Sequence, residues 1–448
     1  VAEYTIADLE YYNGFIEEAV AGFGLDCYPQ EFELCNYEDM LGYEAYQGMP
    51  ARYPHWSFGK AWERKKTFYR YNLTGLPYEM VINSNPCLAY LMKENSLALQ
   101  VLTIAHVYGH NDFFKNNRLF RDGTRAEYAQ EMFKSHANRI RDYISDPSIG
   151  YARVERILDA AHALRYQVYR ITNEKHLSPE ETKDYLMSKY LNTNPHDPGA
   201  AGEPKMPDWN KVPLQPEEDI LLFLIRYARL AEWEKDIINI VRTEAQYFIP
   251  QIETKIMNEG WASFWHYKIL NHLHLPQELY LEFIKRHNQV IASHPGTLNP
   301  YHLGFQIFSK LDRESEDRRL IFDIREQERD VSFLRRYLDE ELCRELNLFE
   351  YKKDNRDYLV TEVADESGWE KIRDTLITNV GMNTIPLINV MEVSSGTILN
   401  LEQEWDGREL LLNYTYPTLK YIARLWGNKV KLRIKIDDAW QLLESDGT

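Results

Sequence analysis

The stretch TKIMNEGWASFWHYKILN, Thr254 to Asn271, decides how the rest of the chain is read, because IAHVYGHNDFFKNN, Ile104 to Asn117, answers it far upstream. Both runs have helical spacing. Both also place ionisable side chains among apolar and aromatic neighbours, where an ordinary core helix carries none. On a helix His106 and His110 lie one turn apart and project the same way, and Glu259 and His266, two turns apart, also share a face. If the two helices meet, two imidazoles and a carboxylate form a three-ligand set for a divalent metal, with a fourth position left open.

His106 and His110 have the ligand spacing of the HExxH zinc-peptidase motif but lack its base, since position 107 is valine. The neighbours Val101, Leu102, Ile104, Ala105 and Val107 are apolar, so both imidazoles are expected to be buried and to need partners. Asn111 and Asp112 offer acceptors for an imidazole N–H. Gluzincin-type peptidases take their third ligand from a glutamate on a later helix. Glu259 fits that role and stands beside Gly260, where a neighbouring backbone can come close. The expected site is therefore His106, His110 and Glu259 around zinc, with Glu244, His266 and His302 as candidates for proton transfer or extra ligation. The plainer alternative is two histidines one turn apart by chance and a buried glutamate paired with an arginine or lysine.

Around these helices the chain reads as a large, mainly α protein. Its 448 residues suffice for two or three domains, and 44% hydrophobic with 27% charged residues is ordinary for a soluble globular protein. The 31 tyrosines and 10 tryptophans suggest broad aromatic contacts between helices. A net charge of -17 argues against a general nucleic-acid or anionic-membrane binder. Four cysteines without CxxC spacing suggest free thiols, and no 18-residue apolar run appears, so a cytoplasmic protein without membrane insertion is expected. Walker A, GxGxxG, GxSxG and kinase signatures are absent.

In order, the spacing predicts an N-terminal helix, a turn-rich passage from Cys27 to Thr74 and a strand over Tyr78 to Asn83. A helical run is expected from Leu88 through Asn117, with Pro250 interrupting the later helix Glu232 to Phe248. Asn192 to Pro216 has linker composition. Near Leu346 the character changes to strands at Asn347–Lys353, Asp357–Val363, Ile385–Val393, Ile398–Trp405, Glu409–Tyr414 and Val430–Ile436, with Asp406-Gly407 as a hairpin signal. The expected organisation is a helical domain over 1–345, with zincin-like paired helices, followed by an α+β module over 346–448.

Three segments, HVYGHNDFFKNN (106–117), QYFIPQIETKIMNEGWASFWH (246–266) and HPGTLNPYHLGF (294–305), resemble the SpoVR family, the stage V sporulation protein R group. The resemblance runs through most of the chain. It implies a cytosolic bacterial protein of spore cortex formation and of stationary-phase or stress physiology. It also implies association with a PrkA-type serine protein kinase and a von Willebrand-like partner. With the residues above, the expected function is a metal-dependent hydrolase or amide-bond-active enzyme. The alternative is a non-catalytic adaptor of the kinase in which the polar cluster is structural.

Overall fold

The computed structural model describes residues 4–70, 79–171, 174–192, 206, 208–292, 298–354, 357–366 and 368–448. Most of the expected linker, 193–205 and 207, lies outside them, as do the last residues of the turn-rich passage. Among the described residues there are 18 α-helices and 9 β-strands, with six of the strands after Leu346. The chain is mainly α with an α+β C-terminal part.

Compactness divides the chain into two units, residues 1–139 with 247–384 and residues 140–246 with 385–448. Each is interrupted in sequence, whereas the expected boundary near 345 follows the change from helix to strand.

The first unit holds a three-stranded sheet in the order Gln30–Cys35, Cys87–Met92, Glu79–Ile82, with the first pair parallel and the second antiparallel. The central strand CLAYLM is buried at every position. A short, uninterrupted apolar run looks the same in a buried strand and a buried helix. That ambiguity is why the helix expected from Leu88 begins only at Leu97. Ser96 caps it, its Oγ accepting from Leu99 N at 3.3 Å. The passage read as turn-rich contains the strand Gln30–Cys35 and two helices, Tyr37–Ala45 and Trp56–Arg70. Within it Arg52 and His55 are buried, with the Arg52 guanidinium over the Tyr53 and Phe58 rings.

The helix Leu97–Asn116, here the histidine helix, is buried at 17 positions. Against it packs Lys255–His272, the glutamate helix, whose far side meets Pro300–Glu314, the tyrosine helix. Small residues permit both approaches. A methyl on Gly109 would stand 2.6 Å from Ala262 Cα, and one on Gly260 would strike the backbone of Gly304. The glutamate helix starts where Asp330 accepts from Ile256 N and Met257 N, both at 2.9 Å, which satisfies two orphan donors of its first turn. Trp261, Trp265, Phe308 and Phe322 fill the space behind it in edge-to-face and tilted contacts.

In the second unit, the helix Leu412–Trp426 packs against Tyr151–Ala163 and covers a four-stranded sheet. The strand order is Ile388–Ser394, Ile398–Gln403, Val430–Ile436, Ala439–Ser445. The middle pair is parallel, so the connection between them is a helical crossover rather than a hairpin. Asp406-Gly407 accordingly turns the chain into that helix, and the strand expected at Glu409–Tyr414 does not form. The last strand, Ala439–Ser445, pairs by a hairpin and went unrecognised in the sequence. Pro250 does not interrupt its helix, which runs from Glu232 to Glu253. It lies in the last turn, where one missing N–H bond weakens only the helix end.

Gly260→Ala should therefore lower unfolding free energy by about 1–3 kcal/mol through overpacking. Gly22→Ala, at an exposed helical position with nothing within 4 Å of the added methyl, should be neutral or gain about 0.5–1 kcal/mol. Denaturant unfolding of the two variants checks this, and equal effects would contradict the close helix crossing.

Candidate metal centre

The histidine helix has apolar residues all round, so its polar side chains are carried inside with it. His106 is 3% exposed, His110 7%, and Asn111 and Asp112 are completely buried. The last two do not serve the imidazoles, contrary to expectation. Asn111 Oδ1 accepts from Tyr28 N at 2.8 Å, and its amide donates to Tyr28 O and Gln30 Oε1. Asp112 accepts from Asp26 N at 2.8 Å and from Trp261 Nε1 at 2.9 Å, with Arg325 Nε 3.5 Å away. These bonds lock the histidine helix to the preceding loop and to the glutamate helix.

The imidazoles take their partners from the glutamate helix instead. His110 Nδ1 lies 2.9 Å from Asn258 Oδ1. An amide oxygen only accepts, so Nδ1 carries the proton and Nε2 is left with a bare lone pair. That lone pair faces Glu259 Oε2 at 3.5 Å. His106 Nδ1 lies 2.9 Å from His266 Nδ1, and His106 Nε2 stands 3.8 Å from Glu259 Oε2 and 3.9 Å from Glu79 Oε1. His106, His110 and Glu259, the three ligands expected from the sequence, thus converge. No arginine or lysine ion pair to Glu259 is present among the described residues.

Glu79 was missed. It opens the strand Glu79–Ile82, which the alternation YEMVIN had suggested, and with His106 and His110 it forms a group whose ligand atoms lie within 4.8 Å of one another. The available signal was a carboxylate in a half-buried strand, too common to single out. Tyr301, the neighbour of His302, also lies outside the expected ligand and proton-transfer set. The hydroxyl of Tyr301 hydrogen-bonds Glu259, and its ring stacks on His106 at 6.2 Å. His302 makes its identified polar contact through its backbone N, to Asn299 Oδ1 at 3.4 Å. His266 sits behind His106 rather than beside Glu259, with its Nε2 2.7 Å from His287 Nδ1. Glu244 is buried on Glu232–Glu253, in the second unit.

Two atoms carry the chemical meaning of this arrangement. His106 Nε2 and Glu259 Oε2 are buried without a hydrogen-bond partner. Unpaired buried polar atoms are rare because each forfeits its hydration. Four-coordinate ligands with bond lengths of ~2.1 Å stand about 3.4 Å apart, close to the 3.5 to 3.9 Å separations found. Such distances are long for hydrogen bonds and suit a cation held between the atoms.

The two carboxyls are driven apart in proton affinity. Burial raises Glu79, and the nearby charge of Glu259 adds to the rise against a lowering by His106. Burial also acts against ionised Glu259, but the adjoining His106 and His110 rings and the Tyr301 hydroxyl overcome it and hold that carboxyl below its usual range. Glu259 is thus poised as an anion, and Glu79 as a group that retains a proton more readily.

Similarity to known proteins covers this whole arrangement. Residues 3–385 match the family described as SpoVR like protein. The chain belongs to the SpoVR family. A relative from Escherichia coli (strain K12), described as uncharacterized protein YcgB, is 34% identical over 487 aligned positions, spanning 99% of this chain and 95% of that protein. No solved structure matches the chain. The family match contains every residue of the centre and ends at the junction where the second unit's last segment begins. No helix among the described residues is long and apolar enough to cross a membrane.

The buried imidazoles give the SpoVR-family chain a pH dependence. Burial first, then the neighbouring His106, pushes His110 and His287 down to about 4. Unfolded, each would take up its proton near the ordinary value of ~6.5. Between these values the unfolded chain binds more protons, so stability is whole above about pH 6.5 and falls towards pH 4. The loss is on the order of 3 kcal/mol per ring. Thermal unfolding of chelator-treated protein should show this fall, and His110→Gln with His287→Gln should make it shallower, with the buried His266 retaining its share. Flat or rising stability on acidification of the unsubstituted chain would contradict the assignment.

Proposed function

We propose that the protein is a metal-dependent hydrolase acting on amide bonds, with His106, His110 and Glu259 holding one divalent cation, zinc by the nature of the ligands. The observation that carries this reading is the pair of unpartnered buried atoms, His106 Nε2 and Glu259 Oε2, aimed at a point that the bare Nε2 of His110 also faces. A bound cation there would lower the pKa of a water or polarise a carbonyl.

Glu79 replaces the glutamate missing at position 107. It comes from a strand rather than from the histidine helix, and its raised proton affinity suits it to take a proton from the attacking water and return it to the leaving amine. Tyr301, whose hydroxyl donates to Glu259, would hold that carboxylate in orientation for the cation. The carboxylates form the accessible edge, with side chains 16% and 19% exposed for Glu79 and Glu259 against 4% and 8% for the imidazoles. Substrate therefore enters from the carboxylate side.

The substrate class rests on family membership. Small peptides or peptidoglycan precursors suit a role in spore cortex formation, with stationary-phase or stress physiology outside spore-formers. Association with a PrkA-type serine protein kinase and a von Willebrand-like protein is proposed on the same footing, as regulation of this activity in the cytoplasm.

Elemental analysis of the purified chain should find about one metal ion per chain, and His106→Ala or Glu259→Ala should remove it. Glu79→Gln should keep the metal and abolish peptide hydrolysis, with a loss of about 10²–10⁴-fold. A chain that takes up no zinc would leave the non-catalytic adaptor as the reading. Loss of the metal on Glu79→Gln would make Glu79 a ligand instead of the base.

A further inference from the structure

Behind His106 the polar contacts continue away from the centre through two more rings. His106 Nδ1 meets His266 Nδ1 at 2.9 Å, and His266 Nε2 meets His287 Nδ1 at 2.7 Å. The three rings are 3%, 0% and 2% exposed. They come from three helices, since His287 lies on Gln277–Val290. His287 is wedged between the Tyr267 and Phe305 rings, at centroid separations of 4.7 and 5.0 Å, with Phe283 at 6.2 Å.

Each nitrogen-to-nitrogen contact accommodates one proton, so neutral rings in this chain have two consistent arrangements. In the first, His287 donates to His266, His266 donates to His106, and the remaining proton sits on His106 Nε2, pointing at Glu259 and Glu79. In the second, every bond runs the other way: His106 Nδ1 donates to His266, His266 Nε2 donates to His287, and His106 Nε2 is bare. A cation at the centre is compatible with the second arrangement alone, because a protonated Nε2 has no lone pair to give.

We propose that His266 and His287 are positioning residues for the metal centre, holding His106 in the tautomer that leaves Nε2 free. This inference rests on the metal-centre reading above. It removes His266 from the proton-transfer role expected from the sequence and gives His287 a function that the sequence did not suggest. His110 obtains the same orientation from a single group, the Asn258 amide, whereas His106 obtains it from a chain that can run in either direction. The centre is therefore sensitive to a residue that contacts none of its ligands. Acceptors in this position fix ring orientation and raise ligand basicity.

Zinc affinity of the whole chain, measured by competition with a chromophoric chelator, tests this with two substitutions. His287→Phe keeps an aromatic ring among Tyr267, Phe283 and Phe305 but removes the acceptor, and should weaken zinc binding by about 10–100-fold. His287→Asn places an amide oxygen near the site of Nδ1 and should bind zinc almost as the unsubstituted chain does. Nitrogen-15 spectra of the histidine rings in the zinc-loaded, unsubstituted chain should find protons on His106 Nδ1 and His266 Nε2, which requires no variant to fold. Unchanged affinity in His287→Phe or equal weakening by both substitutions would overturn the positioning role while leaving the metal centre standing, whereas the opposite ring protonation, with the proton on His106 Nε2, would overturn both. Failure of the unsubstituted chain to bind zinc would overturn both.

Discussion

Two imidazole nitrogens and a carboxylate oxygen face one another inside a helical core, and the electrostatics of that meeting governs the rest of the unit. The Asn258 amide fixes a bare lone pair on His110 Nε2, directed at Glu259 Oε2. Two acceptors so placed repel, and burial removes the water that would screen them. Natural cores rarely contain such an arrangement without something of opposite charge between the partners. A divalent cation turns the same contacts from a cost into coordination, which makes the arrangement intelligible as a centre.

The surrounding packing is what allows the ligands to meet. The histidine and glutamate helices approach closely where Gly109 faces Ala262, and the glutamate and tyrosine helices where Gly260 faces Gly304. Asp330 caps the start of the glutamate helix, and Asp112 ties its Trp261 back to the histidine helix. Buried hydrogen bonds and aromatic contacts thus hold the carboxylate of Glu259 against rings some 150 positions earlier in the chain. A rigid scaffold of this kind is what metal ligands and their supporting groups require.

Much of this is legible in the residues. Polar groups interrupting an apolar helix must find partners, and that reasoning alone brings His106, His110 and Glu259 together. The helical body and the strand-rich C-terminal part also emerge from periodicity. The partners supplied by tertiary structure are not legible. Glu79 lies on a short strand, Asn258 and His287 gain meaning only from the rings they touch, and Tyr301 differs from His302 by the rotation of one helical residue. Cys87–Met92 reads as helix because a buried strand lacks alternation. Asp406-Gly407 reads as a hairpin because a turn signal does not specify whether a strand or a helix comes next. The three-histidine chain joins residues 106, 266 and 287, a juxtaposition that no local pattern encodes.

No solved structure matches this SpoVR-family chain, so direct observation of the ion is the decisive measurement. Crystals of the purified chain, grown with zinc and measured on both sides of the zinc absorption edge, supply it. One anomalous peak is expected about 2.0–2.2 Å from His106 Nε2, His110 Nε2 and a Glu259 carboxylate oxygen. Absence of that peak, with His106 Nε2 instead donating a proton to a carboxylate at hydrogen-bond distance, would contradict the metal centre.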